Sequence, residues 1–436
     1  MKKLLNALIF SAFALGLAAQ DPEPYQFKEF KTVPCTPVKN QQKTGTCWCF
    51  STLSFLESEL LRMGKGEHNL SEMFAVRHVY RQKCEQYVRR QGHEQLGEGG
   101  LAHDLLNAVR DFGIVPEDIY PGRKDVGQPY DHSKLEKTLV ELCKGFVEQG
   151  KKGELPADWL AQIEAVLDAE FGPVPRKFSI AGQPFTPLQY ADYLGIKPSD
   201  YVSITSFTHH PFWSSFILEV PDNFSHGSFY NLPLDDMMRC LNYSIQQGYS
   251  VEWDADVSNA GFGAKYGLAL VPEKDWKDKT EVQRANTFKY TEPEKLVSQD
   301  YRQQLFDRQE TTDDHLMHIT GILDEAHSGL FYKVKNSWGE VSDMKGFVYC
   351  SEAYMRQNTI SFTVHKDALP TDVRRRLGLE AGPVNIEQPS GPGMRKPASS
   401  SEATPTPAPQ EPRPGKVQPR FKTTPATPAP KPAPKQ

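Results

Sequence analysis

The chain has 436 residues, 38% hydrophobic and 24% charged, with a net charge of −5. That size allows one large domain or two to three ordinary ones. The acidic balance gives nucleic-acid binding no electrostatic support, and no HExxH, P-loop or dinucleotide fingerprint is present to hold a metal or a nucleotide.

Lys2 and Lys3, an apolar run from Leu4 to Leu17, and Ala18-Ala19-Gln20 have the three parts of an export signal. The run is too short to span a bilayer comfortably, so the chain is not expected to be an integral membrane protein. The reading is a signal over 1–19 and an exported mature chain, periplasmic or secreted. Seven cysteines follow, at positions 35, 47, 49, 84, 143, 240 and 350. An exported protein permits disulfides, and the odd count leaves at least one free thiol.

Prolines block helix before Val38. The polar loop Asn40 to Thr46 then runs into Cys47-Trp48 and an apolar stripe at Phe50, Leu53, Leu56 and Leu60, one face of a helix. Cys47 therefore sits at a helix N-terminus, where free N–H groups and the dipole favour the nucleophilic thiolate. Cys49, two residues on, points to another side.

Asn69 or Ser71 opens a further helix. Gly92 to Gly100 is a loop, and a helix over about 101–112 ends at Gly113. Residues 131–171 read as two helices. A strand is expected within Asp200 to Leu218, and a helix over Asp235 to Gln247, where Met237 and Met238 are core. Ser250 to Val257 alternates as a strand should. Residues 314–323 and 329–336 form two strands joined by a turn, with further strands near Gly346 and Phe362. The early region is mostly helix and the late region mostly sheet, an α+β arrangement in two halves. From Pro383 onward the chain holds 15 of its 34 prolines and eight Lys or Arg against three Glu. Residues 381–436 are thus expected to be a disordered, basic, extended tail. It is a spacer or a contact to anionic cell-envelope polymers.

A thiolate nucleophile needs a base, an orienting group and oxyanion donors. His318 lies in the apolar strand Leu316 to Ile322, where an idle imidazole is costly; His315 follows Asp313-Asp314 at the strand's polar start. Asn336, followed by Ser337-Trp338-Gly339, supplies an oxygen for the imidazole N–H. The adjacent Trp338 shields that bond.

These motifs together resemble the papain-like cysteine peptidases. Gln41 six residues before Cys47-Trp48 is similar to their active-site loop, and His318 with Asn336-Ser337-Trp338-Gly339 to the second half of the site. The resemblance implies Cys47 as nucleophile, His318 as base, Asn336 as orienter and Gln41 as oxyanion donor. It also implies Gly99, Gly100 and Trp338 as substrate contacts. The 271-residue separation of Cys47 and His318, the helical block between them and Phe185-Thr186-Pro187-Leu188 resemble the bleomycin hydrolase and aminopeptidase C branch. That resemblance implies a two-subdomain fold over 20–380 with a helical insertion, peptide substrates, no cofactor and a homohexamer. In that branch a C-terminal arm lies in the cleft and its carboxylate holds the substrate's amino end; here the chain runs on into the proline-rich stretch. An aminopeptidase is the primary reading. A papain-like endopeptidase and a non-catalytic envelope-binding protein stay open.

Overall fold

The strand Val251–Ala255 sets the layering. Its apolar residues Val251, Trp253 and Ala255 alternate with Glu252 and Asp254, the pattern of a strand with one wet face. In the computed structural model, which describes residues 23–123 and 127–379, all five residues are buried. The apolar face packs under helix Leu234–Gln246, through Met237, Met238, Leu241 and Ile245. The carboxylate face is covered by helix Cys47–Arg62, from which Ser51 donates to Glu252 at 3.3 Å. One sheet thus separates two cores, and the Cys47 helix and the Leu234 helix lie on opposite faces.

The described strands form an 11-stranded sheet in which Val251–Ala255 lies between Thr359–His365 and His315–Glu325. Strand His315–Glu325 continues by an antiparallel hairpin into Gly329–Lys335, and then to Phe347–Ser351. Strand Phe27–Thr32 pairs with the far half of His315–Glu325. The hairpin is not regular. Its pairing shifts by one residue between Ile319 and Gly321, leaving Thr320 extra. A bulge of this kind moves every later side chain to the other face.

Helix Cys47–Arg62 is buried along its first fourteen residues, polar ones included. Burying a carboxylate there requires partners. Glu57 accepts from Thr36 Oγ1 at 2.5 Å and from the Leu70 backbone N–H at 2.9 Å, and Lys39 lies 3.3 Å from it. The other helices of this half are Glu72–Arg89, Ala102–Phe112, Ser133–Lys151 and Trp159–Phe171. Ser71, as expected, caps the first, accepting from Phe74 N–H. Gly113 ends the second with φ 84°. After Phe171 a short hairpin precedes helix Pro187–Leu194, capped reciprocally by Thr186 and Gln189. Mixed helix and sheet in two cores bears out the α+β expectation.

All seven cysteines are free thiols. Cys49 points away from the cleft and donates to Glu72 O at 3.3 Å. No described helix is long and apolar enough to cross a membrane. The stretches read as an export signal and as a proline-rich tail lie outside the described residues. The last described segment, to Leu379, packs on the Leu234 helix: Asp372 pairs with Arg239 at 2.8 Å, and Ser244 donates to Ala368 O at 3.0 Å.

Candidate active site

Cys47 is the first residue of its helix, and Thr46 before it makes no side-chain cap. Cys49 and Phe50 give their N–H groups to Thr46 O, so the Cys47 and Trp48 N–H groups are the ones open to Sγ and to a ligand. The backbone N–H groups of Leu316, on the facing strand, and of Trp48 act on Sγ. These hold the thiol pKa down, but burial outweighs them and pushes it up to about 12. The dipole argument from sequence omitted this desolvation, since Cys47 is only 8% exposed.

The structure brings Asn336 to His315, not to His318. His315 Nε2 lies 2.7 Å from Asn336 Oδ1. That oxygen also accepts the Ser337 N–H at 2.7 Å, which fixes the orientation of the amide. An amide oxygen only accepts, so the imidazole proton sits on Nε2 and Nδ1 keeps a lone pair. Trp338 lies over the ring, with centroids 4.6 Å apart and planes 30° apart, and shields the pair as expected. Burial pushes the imidazole down to about 4, so His315 is neutral and able to accept a proton. It adjoins Leu316, whose N–H acts on Cys47 Sγ.

His318 stands elsewhere. Its Nδ1 meets Ser54 Oγ at 2.9 Å, beside Lys335, which donates to the same hydroxyl at 2.7 Å. Ser54 is seven residues beyond Cys47, about 10 Å along the helix. His318 is wholly buried with its Nε2 unpartnered, and burial with the nearby Lys335 charge holds it well below the usual imidazole range. The physical reason for the difference is the bulge. Counted straight from the turn, Asn336 would oppose residue 318; with Thr320 extra, residue 318 opposes Lys335 instead. Asn336, next along, faces away from His318.

Gln41 and Ser337 join the two halves. Gln41 N–H donates to Ser337 O at 2.8 Å, and Ser337 Oγ donates to Gln41 Oε1 at 2.6 Å. Gln41 Nε2 spends one N–H on Thr44 O at 2.7 Å, leaving the second for a ligand. Gly100 lies flush on Trp48: an added Cβ would meet the indole at 3.2 Å. Trp48 Nε1 donates to Glu98 O at 3.0 Å, and the Glu98 carboxylate takes the Gly45 N–H. The loop before Cys47 is thereby strapped to the Gly99-Gly100 strip. Beyond Gly99 stands Asp222, which sequence reading did not single out. A Cβ on Gly99 would fall within 3.0 Å of its carboxylate.

The site can transfer a proton from a thiol to a neutral imidazole of fixed tautomer and offer donors to a nearby anion. Among the described residues, His209, His210 and Glu219 lie close enough to one another to bind a metal. However, Gln303 Oε1 accepts the Thr208 N–H, so its Nε2 donates to His209 Nδ1. The His209 proton then sits on Nε2 and is given to Glu219 at 3.2 Å. The cluster is satisfied as hydrogen bonds.

Over residues 85–388 the chain matches the Peptidase C1-like family. Aminopeptidase C of Streptococcus thermophilus is 23% identical over 378 residues, covering 77% of this chain and 81% of that protein. Aminopeptidase G of Lactobacillus delbrueckii subsp. lactis is 22% identical over 390 residues, covering 79% and 84%. The crystal structure of PepW from Lactobacillus rhamnosis HN001 is similar with a TM-score of 0.64 at 19% identity, covering 80% of this chain and 84% of that one. That likeness is one of fold.

Proposed function

Since the chain belongs to the Peptidase C1-like family of cysteine peptidases, we propose that it is an aminopeptidase acting through Cys47, His315 and Asn336. The reading rests chiefly on the His315 Nε2–Asn336 Oδ1 bond, on the strand whose Leu316 N–H acts on the Cys47 sulfur. The relatives' names support removal of N-terminal residues.

In this mechanism His315 Nδ1 takes the Cys47 proton as Sγ attacks the peptide carbonyl. Moving the proton makes an imidazolium and a thiolate in a dry site, where their mutual attraction is strong. The helix N-terminus stabilises the sulfur charge. The tetrahedral oxyanion accepts the free Gln41 Nε2–H and the Cys47 N–H. Asn336 holds the imidazolium in place while it protonates the departing amine. Water then attacks the thioester, giving its proton to His315 and releasing the acid. Neutral Cys47 and His315 at rest mean that substrate binding and ion-pair formation are linked.

The test is hydrolysis of a panel of aminoacyl-aminomethylcoumarins by the parent protein and by Cys47→Ala. The parent releases the fluorophore and Cys47→Ala does not. Equal release by both proteins would falsify the assignment.

A further inference from the structure

Gly99 is tightly covered. Its carbonyl takes the ammonium of Lys83, and the space where a side chain would stand holds the carboxylate of Asp222. Asp222 belongs to the loop between Leu218 and Ser228, and it is partly exposed. Gln95 Nε2 fixes its position by donating to Oδ1 at 3.1 Å. A peptide lying along the Gly99-Gly100 strip therefore meets a carboxylate beside Gly99, and further chain has no room there.

The charge around this point is unbalanced. Lys83 is the one ammonium among the groups that bear on Asp222, with Asp104 and Asp313 against it. Asp104 is occupied by Ser225 Oγ and the Leu101 N–H. Asp313, two residues before His315, lies beside Asp254 and pushes its buried carboxyl further up, while the Asp222 backbone N–H bears on Asp313. Asp254 is wholly buried and its Oδ1 has no hydrogen-bond partner. Both Asp222 and Asp313 act electrostatically on Cys47, so the group of carboxyls lies within reach of the nucleophile. Burial and mutual repulsion hold Asp222 and Asp313 above the usual carboxylate range. Such groups gain when a cation arrives, and unpartnered buried oxygens are costly until it does.

We propose that Asp222, standing over Gly99 with Asp313 and Asp254 behind it, receives the free α-ammonium of the peptide substrate and ends the cleft there. This rests on the peptidase reading above and deepens it: a residue internal to the chain, in the Leu218–Ser228 loop, selects the N-terminus. The last described residues of the chain cannot serve, because they pack on the Leu234 helix across the sheet from Cys47. An ammonium brings three donors, enough for Asp222 and for an orphaned oxygen of the pair behind it. An N-acylated peptide brings neither the charge nor the small end, and its acyl group runs into Asp222.

The test uses the full chain and the same aminoacyl-aminomethylcoumarins, each with its N-acetyl counterpart. The parent protein cleaves the free-amino compounds and leaves the acetylated ones. Asp222→Asn, nearly the same shape, raises KM for the free-amino compounds by about 10- to 100-fold, the worth of a charge-assisted hydrogen bond. Its kcat changes less, which a general loss of structure would not produce. Comparison of the two substrates on the parent protein needs no variant, so poor folding of Asp222→Asn leaves a decisive arm. Equal cleavage of free and acetylated substrates by the parent overturns the inference and the aminopeptidase specificity with it, and spares only Cys47-dependent hydrolysis, which Cys47→Ala tests separately. An unchanged KM in a folded Asp222→Asn overturns it also. Hydrolysis of neither substrate by the parent overturns both readings.

Discussion

Replacing His315 by alanine, and separately His318 by alanine, sets the two imidazoles of one strand against each other. His315 carries the Asn336 bond and a free Nδ1 lone pair. Its loss removes the general base, which contributes on the order of 10²- to 10⁴-fold in kcat. Asn336 Oδ1 keeps the Ser337 N–H, but the buried ring also leaves a cavity against Trp338, so some stability is lost as well. His318 holds Ser54, which keeps Lys335 as a partner. Its removal costs one neutral hydrogen bond, about 1 kcal/mol, plus a small cavity, in all roughly 1–3 kcal/mol of stability. The orphaned Nε2 of His318 disappears at the same time, which offsets part of that loss. Steady-state kinetics on aminoacyl-aminomethylcoumarins and thermal unfolding read both effects. Both variants should lose some melting temperature; His315→Ala should also lose kcat, and His318→Ala should keep it. The opposite pattern, catalysis lost with His318 and retained without His315, refutes the geometry argued here.

Gln41→Ala removes an oxyanion donor and lowers kcat by about 10²- to 10³-fold with KM nearly unchanged, measured on the same substrates. Glu252→Gln tests the buried carboxyl face. Burial raises Glu252 to about 8, so its protonated form favours folding below the unfolded carboxyl range and that contribution is lost as pH rises through about 8. The variant should match the parent protein's melting temperature at pH 5 and exceed it at pH 9, and an equal difference at both pH values would contradict the assignment. Gly113→Ala places a Cβ on the Pro187 backbone at a φ of 84°. It should destabilise by more than about 1 kcal/mol in chemical denaturation, because both the backbone angle and the contact oppose a side chain.

The helices were legible because their apolar spacing and caps are local. The Cys47 helix, the Ser71 cap and the Gly113 stop stand where the periodicity put them. Cys47 and Asn336 were singled out from composition and spacing, since a helix start and a strand end are short-range features, and Gln41 came from the family resemblance. His315 was not, because the choice depends on cross-strand register. One extra residue at Thr320 turns His318 away from Asn336, and nothing within the strand marks the bulge beyond the Thr-Gly pair. Apolar neighbours made His318 look too costly to be idle; part of its cost is met by Ser54 on the Cys47 helix, and Nε2 stays unpartnered. The alternation in Ser250 to Val257 was read correctly as a strand, but its polar face is covered rather than wet. Asp222 is 123 residues from Gly99, and only the fold places its carboxylate where a glycine is required.

The double link between Gln41 and Ser337 has a mechanical consequence. The donor proposed to stabilise the reaction is held in position by a residue of the opposite half, through one backbone bond and one side-chain bond. Any excursion that parts the halves breaks both links at once and takes His315 and Asn336 away from Cys47. Cutting power and closure of the interface are then a single cooperative variable. A molecule caught half-open, during synthesis or on heating, is disarmed, and its exposed thiol has no means of cleaving the chains around it.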